Sequence, residues 1–361
     1  MWAVVERPVA GKHFPSSYGD FVAWFSSDAD CLDYLEWLRW PDGFVCPACG
    51  VAGAGYRLAD GRLECGDCSK RCSVTAGTIF DRTRTPLTVW FNTAWLFATQ
   101  KDGMSALALR RNLALGSYQT AWAMLHRLRS VLVRPGRELL TGTVEVDETL
   151  IGGSAAGDRG GRTPGEKTLV VVAVELLEPR GFGRCRMQVI PDASTDTLRD
   201  FLVGNIEPGS TVVTDGWQPY RKATKDRYVH ERHVAPGHKA HEELPGVHRV
   251  ASLVKRWLLS THQGSVDDAH LQLYLNEYAF RFNGRKSRQR GMPFFRLLEF
   301  AVGHDPVRYR DLIYTSRPAR TPRPAPGARG KPASLERERA ARPWRSTGPS
   351  TADRGDQDFS G

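Results

Sequence analysis

Four cysteines in two tight pairs constrain this chain more than any other feature. Cys46-Pro-Ala-Cys49 and Cys65-Gly-Asp-Cys68 are separated by fifteen residues. That is the spacing of a zinc ribbon, in which two thiolate turns close on one tetrahedral Zn2+. Between the pairs, Tyr56-Arg57-Leu58 and Arg62-Leu63-Glu64 flank Asp60-Gly61, a hairpin turn signal. Four thiolates leave no open coordination position, so the expected zinc is structural. Cys72 is a spare thiol four residues past Cys68, and the pair geometry selects Cys68. Cys31 reads as a small buried apolar residue of a helix over Ser26–Trp40. The cysteines outside the quartet give no disulfide framework, which points to a reducing cytosol.

The chain has 361 residues, enough for two or three domains and at least one sizeable core. Its net charge of +10 points to a polyanionic partner, because each Lys or Arg that meets a phosphate releases a counterion. Position tempers that reading. Arg317 to Gly361 holds ten Lys or Arg against five Asp or Glu, so half of the excess lies in the tail. The tail is rich in Pro, Arg, Gly and Ser and reads as disordered. The N-terminus lacks a charged segment followed by an apolar one, so no signal peptide is expected. No apolar run reaches the roughly eighteen residues needed to cross a bilayer. A cytoplasmic protein is the expectation.

Periodicity divides the rest. Leu87–Gln100 is apolar at helical spacing. Ser105 can cap a helix over Ala106–Leu113, and Ser117 another over Tyr118–Val133, with Leu115-Gly116-Ser117 as the turn. Helix, short Gly-containing turn, helix is the helix-turn-helix signature. The second helix carries Gln119, Thr120, His126, Arg127 and Arg129 among apolar residues. It reads equally as a recognition helix facing DNA or as one arm of a plain helical hairpin with a solvated basic face. From Thr143 the period becomes two. Thr143–Glu148, Leu169–Leu177, Arg184–Ile190 and Ser210–Thr214 read as strands, with a helix from Ser194 or Thr195 through Val203. Val247–Leu259 and Asp268–Asn283 read as helices. This order predicts an α/β domain around one mixed sheet.

Two acidic residues stand where strands end. Val144 and Val146 point one way along their strand, Glu145 and Asp147 the other, and Asp215 closes the Ser210–Thr214 strand. Singly, each Asp is an ordinary strand-end or turn residue. Together they form a carboxylate pair that can hold divalent metal for an in-line phosphoryl displacement. Further on, His248 and Lys255 are seven residues apart, nearly two helical turns, and share a face with Ser252.

These residues converge on a family. The chain resembles bacterial transposases of the insertion sequence 1595 family from about Phe21 to about Val302. The resemblance rests on separate motifs in order: Leu38-Arg39-Trp40-Pro41-Asp42-Gly43-Phe44-Val45-Cys46-Pro47 with the ribbon, Gly103-Met104-Ser105, and Tyr118-Gln119-Thr120-Ala121-Trp122. Val144-Glu145-Val146-Asp147-Glu148-Thr149 with Ile151-Gly152-Gly153, and Thr214-Asp215-Gly216, continue it. Val247-His248-Arg249-Val250, Lys255-Arg256-Trp257-Leu258 and Tyr278-Ala279-Phe280-Arg281-Phe282-Asn283 complete it.

The resemblance implies a ribonuclease-H-like mixed-sheet catalytic domain preceded by a zinc ribbon and a small helix-turn-helix-like domain. It implies an enzyme that cleaves DNA at element ends and transfers the 3′-hydroxyl strand into target DNA, using two Mg2+ or Mn2+ ions. Asp147 and Asp215 would hold them. At the third position this family places Asn, Glu or His, with Lys seven residues on, and His248 and Lys255 match. Imidazole suits Mn2+ better than Mg2+, so His248 either ligates metal or positions water or DNA. Lys255 would hold a phosphate as a point charge. Glu242 and Glu243 are rivals for the third carboxylate, set apart from the helix by Pro245. Five of the ten histidines, His230 to His248, crowd one stretch, read as a loop near the DNA.

DNA contacts are expected from Gln119, Thr120, Arg127, Arg129, Lys255, Arg256, Arg281 and Arg285, with a solvated helix end as the other reading of the last two. The partner would be double-stranded DNA, and synapsis of two ends implies a dimer or higher oligomer. The expected divisions are a helical segment over 1–40, the ribbon over 41–82, the helix-turn-helix-like region over 83–138, the catalytic domain over 139–304 and a basic tail over 305–361. The rival functions are a non-catalytic DNA-binding protein descended from a transposase and another ribonuclease-H-like nuclease.

Overall fold

The computed structural model describes residues 8–53, 55–152, 167–233, 244–264 and 266–314. Glu242, Glu243, His238, His241, nearly all of the Gly152–Gly165 stretch and the tail past Tyr314 lie outside the described residues.

Several helices start where a short polar side chain takes a free backbone N–H. α1 (Tyr18–Trp24) and α2 (Asp28–Arg39) each open on a capping box, Ser17 with Asp20 and Ser27 with Asp30. The ribbon follows as β1 (Gly55–Arg57), β2 (Leu63–Cys65) and β3 (Arg71–Cys72), an antiparallel sheet in that order. Gly61, at φ +77°, makes the turn between β1 and β2. α3 (Leu87–Thr99), α4 (Ala106–Asn112) and α5 (Tyr118–Ser130) come next, with Ser105 and Ser117 as the caps of the last two.

The chain then forms β4 (Thr143–Ile151), β5 (Thr168–Leu176), β6 (Phe182–Val189), α6 (Thr195–Asn205), β7 (Thr211–Thr214), α7 (Gln218–Ala223) and β8 (Val229–Arg232). α8 (Pro245–His262), α9 (Asp268–Gly284), α10 (Gly291–Gly303) and α11 (Tyr309–Tyr314) complete the described chain. The five strands lie in the order β6-β5-β4-β7-β8. β5 pairs antiparallel with both β4 and β6, while β7 pairs parallel with both β4 and β8. A first strand paired with both the second and the fourth is the ribonuclease-H-like arrangement. β8 and α7 escape a periodicity reading because β8 is a short polar edge strand and α7 is only six residues long.

Both faces of the sheet are covered. Val144, Val146, Val171 and Val212 pack with Leu198, Phe201 and Leu202 of α6 on one face. Val170, Val172 and Val174 pack with Val250, Val254 and Trp257 of α8, and with Leu275 of α9, on the other. A separate core joins α1, α2, the ribbon and α3–α5. Into it α10 returns, burying Phe294, Phe295, Leu297 and Leu298. So α10, which follows the sheet in sequence, belongs by packing to the N-terminal half. Gly291 permits that return: a Cβ there would lie 1.9 Å from the Pro15 carbonyl oxygen.

Candidate functional site

The four ribbon thiols converge. All four Sγ atoms lie within 4.8 Å of one another, with Cys46 to Cys68 and Cys49 to Cys65 each at 3.7 Å. Thiolates about 2.3 Å from a central zinc define a tetrahedron with edges of about 3.8 Å, so the donor set fits that ion. The N–H groups of Cys49 and Ala48 point at Cys46 Sγ and hold its thiol down to about 6, favouring the thiolate that metal requires. Cys72 lies outside this group. The ribbon is seated on the N-terminal core through Phe44, Cys46, Leu63 and Cys65.

The strand register brings the two aspartates together. β4 and β7 pair in parallel with Glu145 opposite Val213. Carried two residues on, past the last paired residues, the same register points to Asp147 and Asp215 as neighbours. Val144 and Val146 are spent on the α6 face, so Glu145 and Asp147 look toward α8. Asp215 shares the parity of Val213 and therefore the same face. Both carboxylates are half-buried. Asp147 accepts the Glu148 N–H at 2.8 Å, and Asp215 accepts the Trp217 N–H at 2.9 Å in a turn made at Gly216, φ +87°. Tyr220 of α7 reports the same convergence. Its buried hydroxyl donates to Glu148, and burial followed by the charges of Glu148, Asp147 and Asp215 pushes its pKa well up.

α8 carries the remaining candidates. His248 sits half-buried in its first turn and Lys255 half-buried two turns on. Burial, then the nearby Lys167 charge, lowers the Lys255 pKa. The ligand atoms of Asp147, Asp215 and His248 do not close into one group. Among the described residues, the cysteine quartet is the one set of three or more such side chains that does. Two carboxylates are a donor set of the kind that binds divalent metal, and His248 does not join them in a closed group.

The expected DNA contacts divide. Gln119 is exposed and Thr120 half-buried, and both line an open cleft of about 330 Å3 shared with Arg82, Arg84 and Arg127. Arg127 spends its Nε on the Val307 carbonyl at 2.8 Å. Arg256 is exposed. Arg285 is exposed and donates to the carbonyls of Gly183 and Phe282 at 3.0 and 2.6 Å. Arg129 and Arg281 correct the reading. Arg129 is 1% exposed and its Nε donates to Glu277 Oε2 at 2.7 Å. Arg281 meets the other Glu277 oxygen at 2.7 Å and also donates to the Gln100 carbonyl. Glu277 is fully buried. A buried carboxylate needs partners, and these two guanidiniums supply them, so neither presents itself to a duplex. His126 likewise faces inward, its ring tilted by 31° against Trp122 with centroids 4.0 Å apart.

Sequence reasoning missed Glu145, Glu148, Lys167, Tyr220 and Glu277. A signal existed for Glu145: a charge inside a strand whose two faces are both covered must find a specific partner. Nothing local marked Glu277, whose partners lie 148 residues away and on its own helix.

Fold and site together define a ribonuclease-H-like domain joined to a thiolate ribbon. Residues 139–283 match the ISXO2-like transposase domain, and residues 26–71 match the transposase zinc-ribbon domain. The chain is 27% identical over 277 residues to an uncharacterized protein in transposable element ISH50 of Halobacterium salinarum, covering 71% of this chain and 91% of that protein. The chain belongs to the insertion sequence 1595 family of transposases. No helix among the described residues is long and apolar enough to cross a membrane.

Proposed function

We propose that the protein is an active DNA transposase, which cleaves the ends of its element and joins the freed 3′-hydroxyl to target DNA. The observation that carries this reading is the parallel register of β4 and β7. Continued by two residues, that register would put Asp147 and Asp215 next to each other on the sheet face that receives α8, in a chain with a transposase domain. Asp147 and Asp215 are the residues that would hold Mg2+ or Mn2+. Bound there, a pair of divalent ions supplies activation of the attacking oxygen and stabilisation of the leaving one.

The chain's own residues supply placement. Lys255 offers a half-desolvated ammonium to a phosphate near the carboxylates, and Lys167 adds charge to the same neighbourhood. The exposed Gln119 and the cleft cations Arg82 and Arg84 offer a route for the duplex past the N-terminus of α5. The ribbon, with zinc bound, serves as a rigid platform for these elements and takes no part in the chemistry. Double-stranded DNA is the partner, engaged by a dimer or higher oligomer in the cytoplasm.

The test is a plasmid carrying the DNA that flanks the coding frame, incubated with protein and Mn2+. Nicking that disappears in Asp147→Asn and in Asp215→Asn supports the reading. Undiminished nicking in both variants overturns the site, and DNA binding without metal-dependent cleavage overturns the activity.

A further inference from the structure

α8 begins without a cap of its own. Its N-cap residue is Leu244, whose side chain makes no capping hydrogen bond, and Pro245 has no N–H to give. The first N–H groups available are those of Gly246 and Val247, and a buried helix end must satisfy them. The acceptor comes from the sheet. Glu145 Oε2 of β4 accepts the Val247 N–H at 2.9 Å, across 102 residues of chain, and the Gly246 N–H also points at this carboxylate.

Three further features show that this contact is built in. Glu145 is 2% exposed, deep in a strand, where an ionised carboxylate is costly unless it gains strong partners. Backbone N–H groups at a helix N-terminus are such partners, since the helix dipole favours negative charge there. Residue 246 is a glycine, and a Cβ at that position would lie 2.8 Å from Glu145 Oε2 and 3.1 Å from Phe182. A side chain at 246 would make the carboxylate shift away from the helix end. Burial pushes the Glu145 pKa up, against the pull of the Val247 and Gly246 N–H groups.

The placement gives the contact a consequence. Glu145 and Asp147 are two residues apart on one strand face, about 7 Å along the strand. His248 directly follows Val247. The carboxylate therefore ties the first turn of α8 to the strand that carries Asp147. We infer that Glu145 is a positioning residue, a cap supplied from the sheet that sets His248 and Lys255 against Asp147 and Asp215. The inference rests on the proposed cleavage activity for its functional part and on the observed contact for its structural part.

The test compares full-length, zinc-loaded wild type with Glu145→Ala, Glu145→Gln and Gly246→Ala. Each is assayed for nicking of the flanking-DNA plasmid at saturating Mn2+, for affinity to the same DNA, and for backbone amide exchange along α8. Glu145→Ala is expected to nick roughly a hundredfold more slowly, the scale of a small misplacement of catalytic groups. Its DNA affinity should be unchanged, and exchange should accelerate at Gly246 and Val247 but not in the helix centre. Glu145→Gln keeps an acceptor of the same shape and should regain most of the rate. Gly246→Ala should behave like Glu145→Ala, because its methyl displaces the carboxylate. Wild-type nicking in a folded Glu145→Ala protein overturns the inference. So does a Gln variant no better than Ala, which would place the charge in the chemistry instead. Asp147→Asn, run alongside, separates the two readings. If it nicks like wild type, the carboxylate assignment fails, while unchanged first-turn exchange in Glu145→Ala is what defeats the cap.

Discussion

The ribbon and the carboxylate site are opposites in construction. The ribbon draws four donors from 23 residues of chain, Cys46 to Cys68, and closes them into one group with every position taken. The proposed carboxylate site would draw Asp147 from β4, Asp215 from the turn after β7, and His248 and Lys255 from α8, across more than a hundred residues. A saturated site can only add stability. Elements that far apart in sequence depend on contacts that join them, such as Glu145 at the helix end and Glu277 between α5 and α9.

If this contrast is right, metal removal should injure the ribbon most. Structural zinc in small thiolate domains is worth about 10–16 kcal/mol of apparent binding energy. Chelation should therefore open the segment around the cysteines to protease while the five-stranded sheet stays protected. A ribbon that resists cleavage after verified loss of zinc would break the comparison.

Glu277→Ala comes next. It leaves Arg129 buried without its carboxylate, a change of about 3–5 kcal/mol, read from urea unfolding. Burial works to raise the Glu277 pKa, and the Arg129 and Arg281 charges overcome it, leaving it below the ordinary 4.5. A depressed carboxylate contributes stability above its unfolded pKa and loses it as pH falls through the folded value. Wild type should lose stability on that acid limb more steeply than Glu277→Ala does.

Asp147→Asn should show the reverse pattern. Loss of one preorganised charge from such a site slows reaction about 10²–10³-fold. Stability should move by no more than about 0.5 kcal/mol, because the side chain is half-exposed. A large fall in unfolding midpoint would mean that the carboxylate is a structural group. The smallest effect is expected from Arg57→Ala. It removes the ion pairs to Asp33 and Glu36 that link ribbon to α2, and the pair charges are largely solvated. That change should cost less than about 1 kcal/mol and shrink further with added salt.

How much of this was legible beforehand depends on the distance over which each feature is decided. The cysteine quartet, the Asp60-Gly61 hairpin, the serine-capped helices and the alternation of β4 are all settled within a few residues. Asp147 and Asp215 were also legible as candidates, through strand-end position and family resemblance. What points to them as neighbours is the β4–β7 register, and no closed ligand group takes in His248 as well. α5 was legible as a basic helix, yet which of its cations faced outward was not. Arg129 looks no different from Arg127 in a periodic reading until α9 arrives with Glu277.

By itself, then, the sequence determined the zinc ribbon, the succession of elements and the identity of the acidic strand ends. Backbone sterics, capping and side-chain period act locally, and so they can be read from neighbours. Tertiary structure alone decided which carboxylates meet, that Glu145 caps α8, that Arg129 and Arg281 turn inward, and that α10 completes the N-terminal core. Each of those outcomes needs a partner far along the chain. A buried charge or an uncapped helix end states only that a partner must exist, and the closed fold is what selects it.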